Sequence, residues 1–238
     1  MIRPWKRNKN KVIRHALIMA AGRGMRMLPL TNSIPKPLVH FGNDTLISSG
    51  IHRITKAVEF VHITVGYKAA TVAQHVIELG VNTVLNTEGK GNAWWIYTTF
   101  FKLLDEPIFV LTCDNIVELD FNLISKEYVR FGRPTCMVVP ARPIRGLEGD
   151  YILQRDNVVF RLDRRKPTGS YCSGIQVLNP AKINGMTRRT EDFNSVWRQL
   201  ISRRQVYCSN IYPKRWFTAD TIDQLARLNT WGKGRSVS

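Results

Sequence analysis

The chain predicts a three-layer α/β/α fold around a mainly parallel, mixed sheet in a single domain. Three observations lead there. Short apolar runs alternate with stretches of helical apolar spacing, the pattern of βαβ units. At 238 residues and 44% hydrophobic content, the chain is long enough to bury one large core. Its apolar runs end in glycine or aspartate, and open α/β sheets bind ligands just past the carboxyl ends of their strands.

In order, the first strand is the apolar run from Ala16. Asp44 is placed to cap a helix whose Leu46, Ile47, Ile51, Ile54 and Val58 fall at helical spacing. Phe60–Val65 reads as the second strand, followed by a helix through Val72, Val76, Ile77 and Leu79 and a strand at 81–85. Residues 92–104 read as one helix and 107–112 as a buried strand. A strand at 135–139 precedes a hairpin, 151–153 with 158–162, turning at Asp156-Asn157. A strand at 174–178 and helices at 192–201 and 221–228 complete the domain, set at 15–230. Residues 1–14 read as a basic arm and 231–238 as a frayed tail.

The segment 16–26 (ALIMAAGRGMR), followed by PLT at 29–31 and PKPL at 35–38, carries the chemistry. A strand ending in Gly-x-Gly lets backbone N–H groups approach an anion closely, because no Cβ stands in the way. Arg23, Arg26 and the proline-braced Lys36 add more positive charge than one phosphate needs, which points to a triphosphate. A dinucleotide-binding GxGxxG would require glycine where Met27 stands, and a P-loop would require Gly-Lys-Ser/Thr, which the chain lacks. The motif resembles that of the sugar-1-phosphate nucleotidyltransferases, the NDP-sugar pyrophosphorylases. Features of the phosphocholine cytidylyltransferase and muramic-acid-phosphate uridylyltransferase branches are mixed in.

The resemblance implies a Rossmann-like sheet and Mg²⁺-dependent transfer of a nucleoside monophosphate from an NTP to a phosphorylated small molecule, foremost a sugar-1-phosphate. Ala20, Ala21, Gly22 and Gly24 then bind the nucleotide, Arg26 neutralises the β- and γ-phosphates, and Lys36 serves the reacting α-phosphoryl group. Asn86, Gly91 and Asn92 correspond to the loop that meets base and ribose. Asp114, at the end of the most apolar strand, is a hard oxygen ligand suited to Mg²⁺. The resemblance makes Asp220 its partner on the metal, although an N-cap role for the final helix is also open to it. Lys166 lies in an Arg-Lys-Pro where such enzymes carry Glu-Lys-Pro, so it inherits contact with the acceptor phosphate. Ser173 and Gly149 match acceptor-side positions, the latter equally a hairpin glycine. Trp94 and Trp95 read as packing rather than as a stacking platform.

The formal charge of +17 favours anionic partners. The excess lies at the ends: six basic residues and no acid in 1–14, fifteen against five in 161–238. No nucleic-acid-binding motif accompanies it, so nucleic acid is not the expected partner and a basic solvated surface is. The expected partners are an NTP, with UTP or CTP favoured, and an anionic phosphorylated acceptor. Cys113, Cys136, Cys172 and Cys208 are widely spaced, which argues against zinc and for reduced thiols in the cytoplasm. No apolar run approaches a membrane span, and the run behind the basic start is too short for a signal peptide. Two other readings remain: a cytidylyltransferase for phosphocholine or another non-sugar phosphate, and a non-catalytic nucleotide- or nucleic-acid-binding protein.

Overall fold

The computed structural model describes residues 11–233. Strand β1 (His15–Ala20) buries Ala16, Ile18 and Ala20 on one face and Leu17 on the other, as a central strand covered on both sides must. A four-residue helix α1 (Leu30–Ser33) and a small hairpin of β2 (His40–Phe41) and β3 (Asp44–Thr45) follow. Helix α2 (Leu46–Ile54) is capped by Thr45, whose hydroxyl accepts from the Ser48 N–H, and not by Asp44. Asp44 sits one residue too early. Its carboxylate takes the Thr45 N–H and faces His52 instead. Next come β4 (Phe60–Val65), α3 (Ala69–Glu78) and β5 (Thr83–Asn86).

The helix expected over 92–104 is broken. Helix α4 (Trp94–Thr98) stops where Thr99 turns extended, and the Thr99 hydroxyl caps a separate 3-10 turn at Phe100–Leu103. Strand β6 (Ile108–Thr112) then leads through a tight turn into β7 (Asn115–Glu118) and α5 (Phe121–Arg130), which Asp120 caps. The second half contains β8 (Cys136–Ala141), β9 (Tyr151–Arg155), β10 (Val158–Asp163) and β11 (Tyr171–Leu178). The Asp156-Asn157 turn has both residues left-handed, as a two-residue hairpin requires. Helices α6 (Pro180–Met186) and α7 (Phe193–Ile201), strands β12 (Val206–Cys208) and β13 (Arg215–Thr218), and α8 (Ile222–Lys233) complete it. The sequence reading had not marked β7, α5, α6, β12 or β13.

Nine strands form one sheet in the order β5-β4-β1-β6-β11-β8-β12-β10-β9. The first four run parallel, β11 enters antiparallel between β6 and β8, and the sheet is mixed from there to its edge. Helices α2, α3 and α5 share one core with Ile18 of β1, through residues such as Ile51, Val76 and Ile124. Helices α4, α6 and α7 share the other core with Leu17, through Ile96, Ile183 and Val196. Two cores on opposite faces of one sheet make the three layers.

Of the basic arm, residues 1–10 lie outside the described residues. Its end is held down: Lys11 donates to the Val58 carbonyl at 2.8 Å, and Arg14 pairs with Glu59 at 3.0 Å. Helix α8 reaches Lys233, into the segment expected as tail, and 234–238 lie outside the described residues. No helix among the described residues is long and apolar enough to cross a membrane.

Candidate active site

The turn after β1 is shaped by Gly24, which is left-handed at φ +71°. A Cβ there would stand 2.9 Å from the Cβ of Lys36, so the glycine is what lets the lysine stem lie across the turn. The Thr31 hydroxyl donates to the Gly24 carbonyl at 3.0 Å and fixes the crossing. Prolines on both sides of Lys36 set up the short 3-10 turn Lys36–Leu38, which sends the side chain inward until the residue is 8% exposed. Its ammonium donates to Asp114 Oδ2 at 2.6 Å and to Asp220 Oδ1 at 2.7 Å. Arg26 reaches the same Asp220 oxygen at 3.0 Å.

These four residues come from distant parts of the chain. Asp114 follows β6, and Asp220 follows β13, which pairs antiparallel with β7. That small sheet brings the two aspartates together, and the Ala219 N–H donates to the Asp114 carbonyl at 3.1 Å. Gln224 holds Asp220 from behind by accepting from its backbone N–H at 2.8 Å. Burial alone would push the Lys36 ammonium down and the Asp114 carboxyl up. Their mutual attraction wins in both, so Lys36 is raised above its ordinary value and Asp114 is held below the usual carboxylate range. Cys113 goes the other way: burial, with the Asp114 charge added, pushes its thiol up to about 12. It is therefore a packed thiol and not a nucleophile.

Two cavities adjoin, sharing Met19 and Asn92, and Arg26, Asp114 and Asp220 of this cluster line one of them. The first, about 470 Å³, is walled by Ala21–Arg23 on one side and by the loop 87–92 on the other, with Tyr67 and Trp95 between them. Gly91 has no room for a side chain, because a Cβ would run into the Glu191 carbonyl oxygen. The loop is tied there: the Ala93 N–H donates to that carbonyl at 3.0 Å, and the Asn92 side-chain oxygen accepts from the Phe193 N–H at 2.9 Å. Asn92 thus lines both cavities, but its oxygen is spent on the backbone and only its amide nitrogen is left to face a ligand. Arg23 stacks on Tyr67 at 5.1 Å. Trp95 is core, donating to the Asn92 carbonyl at 2.9 Å, while Trp94 meets Lys90.

Three expected nucleotide contacts, Ala20, Gly24 and Asn86, fall outside this cavity. Asn86 uses its side-chain oxygen to accept from the Glu88 N–H at 3.0 Å, an Asx turn that shapes the loop. Ala20 is buried in the strand, and Ala21 and Gly22 are the residues that line the wall.

The second cavity, about 250 Å³, is lined by Arg26, Asp114, Glu148, Asp150, Arg164 and Asp220, with Trp197 and Phe193 on its apolar side. Here the structure corrects the sequence reading at Lys166. That residue is exposed beyond the end of β10 and does not line the cavity; Arg164 does. Asp163 Oδ1 accepts from the Arg165 N–H at 2.8 Å, a turn that carries the chain away just after Arg164. Ser173 does line the cavity, but its hydroxyl is fully buried, donating to the Val139 carbonyl at 2.9 Å and supporting the irregular stretch of β11 at Gly174. Gly149 does line the cavity, and it also makes room for the Tyr171 ring, 2.7 Å from where a Cβ would be. Glu148, Asp150, Arg164 and Trp197 went unmarked in the sequence, since none belongs to a local motif.

Among the described residues, no group of three or more His, Cys, Asp or Glu side chains converges on a metal position. The two carboxylates on Lys36 are nonetheless the donor set that Mg²⁺ takes, one or two protein carboxylates completed by phosphate oxygens and water. The chemistry of Asp114 and Asp220 fits the ion.

Comparison with known proteins agrees with this geometry. The model of the nucleotidyl transferase family matches residues 15–146. The mannose-1-phosphate guanyltransferase of Debaryomyces hansenii is 29% identical over 183 residues, 71% of this chain and 50% of that protein. The mannose-1-phosphate guanylyltransferase catalytic subunit beta of Danio rerio is 32% identical over 187 residues, 73% of this chain and 52% of the relative. The chain thus spans about half the length of the curated relatives it matches. Among solved structures, the inositol-1-phosphate CTP transferase from T. maritima superposes with a TM-score of 0.75 at 16% identity, covering 95% of this chain and 98% of that one. At that identity the likeness concerns the fold.

Proposed function

Since the chain belongs to the nucleotidyl transferase family, we propose that it transfers a nucleoside monophosphate from an NTP to a sugar-1-phosphate, releasing pyrophosphate. The observation that carries the reading is Lys36, bound at once to Asp114 and Asp220, two carboxylates that line the second cavity. A lysine and two aspartates drawn from three distant segments into one nearly dry cluster serve a charge-handling purpose, because such burial by itself contributes little to stability.

In the proposed reaction, an oxygen of the acceptor's phosphate attacks the α-phosphorus of the nucleotide in line. One P–O bond forms as the bond to pyrophosphate breaks, and no covalent enzyme intermediate is required. The barrier comes from bringing two anions together, so positioning and positive charge are the tools available. The glycine turn offers backbone N–H groups to the triphosphate, and Arg26 takes its outer charge. Lys36, raised above its ordinary value, stays charged throughout and faces the α-phosphoryl oxygens. Asp114 and Asp220 would hold a divalent cation, which supplies further neutralisation of the phosphate oxygens. The loop 87–92 encloses base and ribose, and the curated relatives' names put GTP with mannose-1-phosphate beside UTP and CTP as candidate pairs.

The test is pyrophosphate release with GTP, UTP, CTP and dTTP, each crossed with mannose-1-phosphate, glucose-1-phosphate and phosphocholine in the presence of Mg²⁺. Release that needs both an NTP and a sugar phosphate, and stops on chelation, is the expected result. Release independent of any acceptor, or none with any pair, overturns the reading.

A further inference from the structure

The acceptor cavity contains an unbroken chain of alternating charges. Asp150 holds Arg164 at 3.3 Å, Arg164 and Arg26 both face Glu148, and Arg26 continues to Asp220, Lys36 and Asp114. The central link differs from the others. A single oxygen, Glu148 Oε2, lies 3.6 Å from Arg26 and 4.0 Å from Arg164, outside direct hydrogen-bond range of either. Its side chain is 73% exposed, whereas Asp150 and Asp220, which brace the two guanidinium groups from the inner side, are 17% and 19% exposed. Both arginines are therefore anchored by a sheltered carboxylate and present their free edges to a loose one.

We propose that Glu148 is a placeholder for phosphate: its carboxylate occupies the position between Arg164 and Arg26 that phosphate groups take when substrates bind, and Arg164 is the anchor of the acceptor's phosphate. This rests on the reading of the site given above and extends it to the acceptor. An exposed carboxylate at 3.6–4.0 Å is weakly held in water. A phosphate monoester brings up to two charges and a geometry that a guanidinium matches with two parallel hydrogen bonds, so it outcompetes one carboxylate. Lys166, the residue the family resemblance would assign, lies outside the cavity, and Arg26, which lines it, is assigned above to the outer phosphates of the nucleotide. Arg164 is the cation left for the acceptor. The loop that carries Glu148 is fixed on both flanks, before it by the Gly146 carbonyl accepting from Gln224 and after it by the Asp150 carbonyl accepting from the Cys172 N–H. Displacement thus requires only a side-chain rotation.

The experiment is calorimetric binding of inorganic phosphate and of mannose-1-phosphate to the full chain and to two variants, followed by acceptor and NTP KM values. Arg164→Ala is expected to weaken both probes by about tenfold or more and to raise acceptor KM while leaving NTP KM within about twofold. Glu148→Gln, which removes the competing charge but keeps the shape, is expected to tighten both probes by a few-fold. The proposal is overturned if Glu148→Gln weakens binding, or if wild type binds neither probe at millimolar concentration. It is equally overturned if Lys166→Ala costs more acceptor affinity than Arg164→Ala does. Should the binding shifts appear while no NTP is ever turned over, the phosphate site stands and the transferase reading fails.

Discussion

The nucleoside cavity is walled by two runs of consecutive residues, Ala21–Arg23 and 87–92, whereas the acceptor cavity gathers Arg26, Asp114, Glu148, Arg164 and Asp220 from five separate segments. The first presents mainly backbone and recognises a ligand by close approach. The second presents ionised side chains and recognises a ligand by charge. Each is opened by a glycine that has no room for a Cβ, Gly91 against the Glu191 carbonyl and Gly149 against the Tyr171 ring. The difference shows how one chain can build one cavity from local runs of residues and leave the other to the wider fold. Met19 and Asn92 are shared by the two cavities, and Lys36 is bound to Asp114 and Asp220 of the second.

The largest effect is expected at Lys36. Lys36→Ala should lower pyrophosphate release by roughly 10²–10³, since it removes one preorganised charge from the reacting group. It also strands Asp114 and Asp220 beside each other. In wild type, Asp114 is held below the usual carboxylate range, so its contribution to stability is present above that range and is lost as pH falls through the depressed value. Without Lys36 the carboxyl rises instead, and protonation relieves the repulsion. The stability gap between variant and wild type, read by urea denaturation, should therefore narrow as pH falls from 7.5 towards about 4.5. A gap independent of pH would show that the pair is not electrostatically coupled.

The two glycines separate the cavities. Gly91→Ala should raise NTP KM about tenfold with little change for the acceptor, and Gly149→Ala should do the reverse, since overpacking displaces only the wall it belongs to. Steady-state kinetics with both substrates varied decides it. Equal effects on both constants from either variant would mean that the cavities move as one.

A smaller effect sets the nucleotide half apart in acid. His15 Nδ1 lies 3.0 Å from His62 Nε2 in the parallel part of the sheet, at the end away from the glycine turn. Burial, reinforced by the His15 neighbour, pushes the His62 imidazole down to about 4. The unfolded chain takes up that proton nearer 6.5, so stability is full above this value and is lost as pH falls towards 4, by roughly 3 kcal/mol at most. Hydrogen exchange should show β1 and β4 losing protection at pH 5 before β8 and β12, and His62→Leu should flatten the dependence. The smallest effect is at the loop: Asn86→Ala removes an Asx turn and should shift NTP KM by less than about threefold, against a larger shift for Asn92→Ala.

The sheet was largely legible because buried strands such as 60–65 and 108–112 are continuous apolar runs whose ends are set by composition. Boundaries set by single side chains were not. Thr45 caps α2 rather than Asp44, and the Thr99 hydroxyl splits the helix expected over 92–104. The glycine turn, Lys36 and Asp114 were legible since each stands beside the strand that presents it. Arg164 was not, because a turn at Asp163 decides which of the neighbouring cations faces the cavity. The direction of the Ser173 hydroxyl was not legible for a like reason: the residue lines the cavity, but the irregular strand around it draws the hydroxyl inward.

By itself the sequence determined the α/β layering, the glycine turn and the family resemblance, because these depend on periodicity and on residues adjacent in the chain. Only the tertiary structure decided that Asp220 joins Asp114 on one ammonium, that Arg164 rather than Lys166 lines the second cavity, and that Glu148 stands between two arginines. Those are contacts between segments far apart along the chain. Coulomb interactions depend on separation in space, and that separation is fixed only when the sheet closes and the strands take their register.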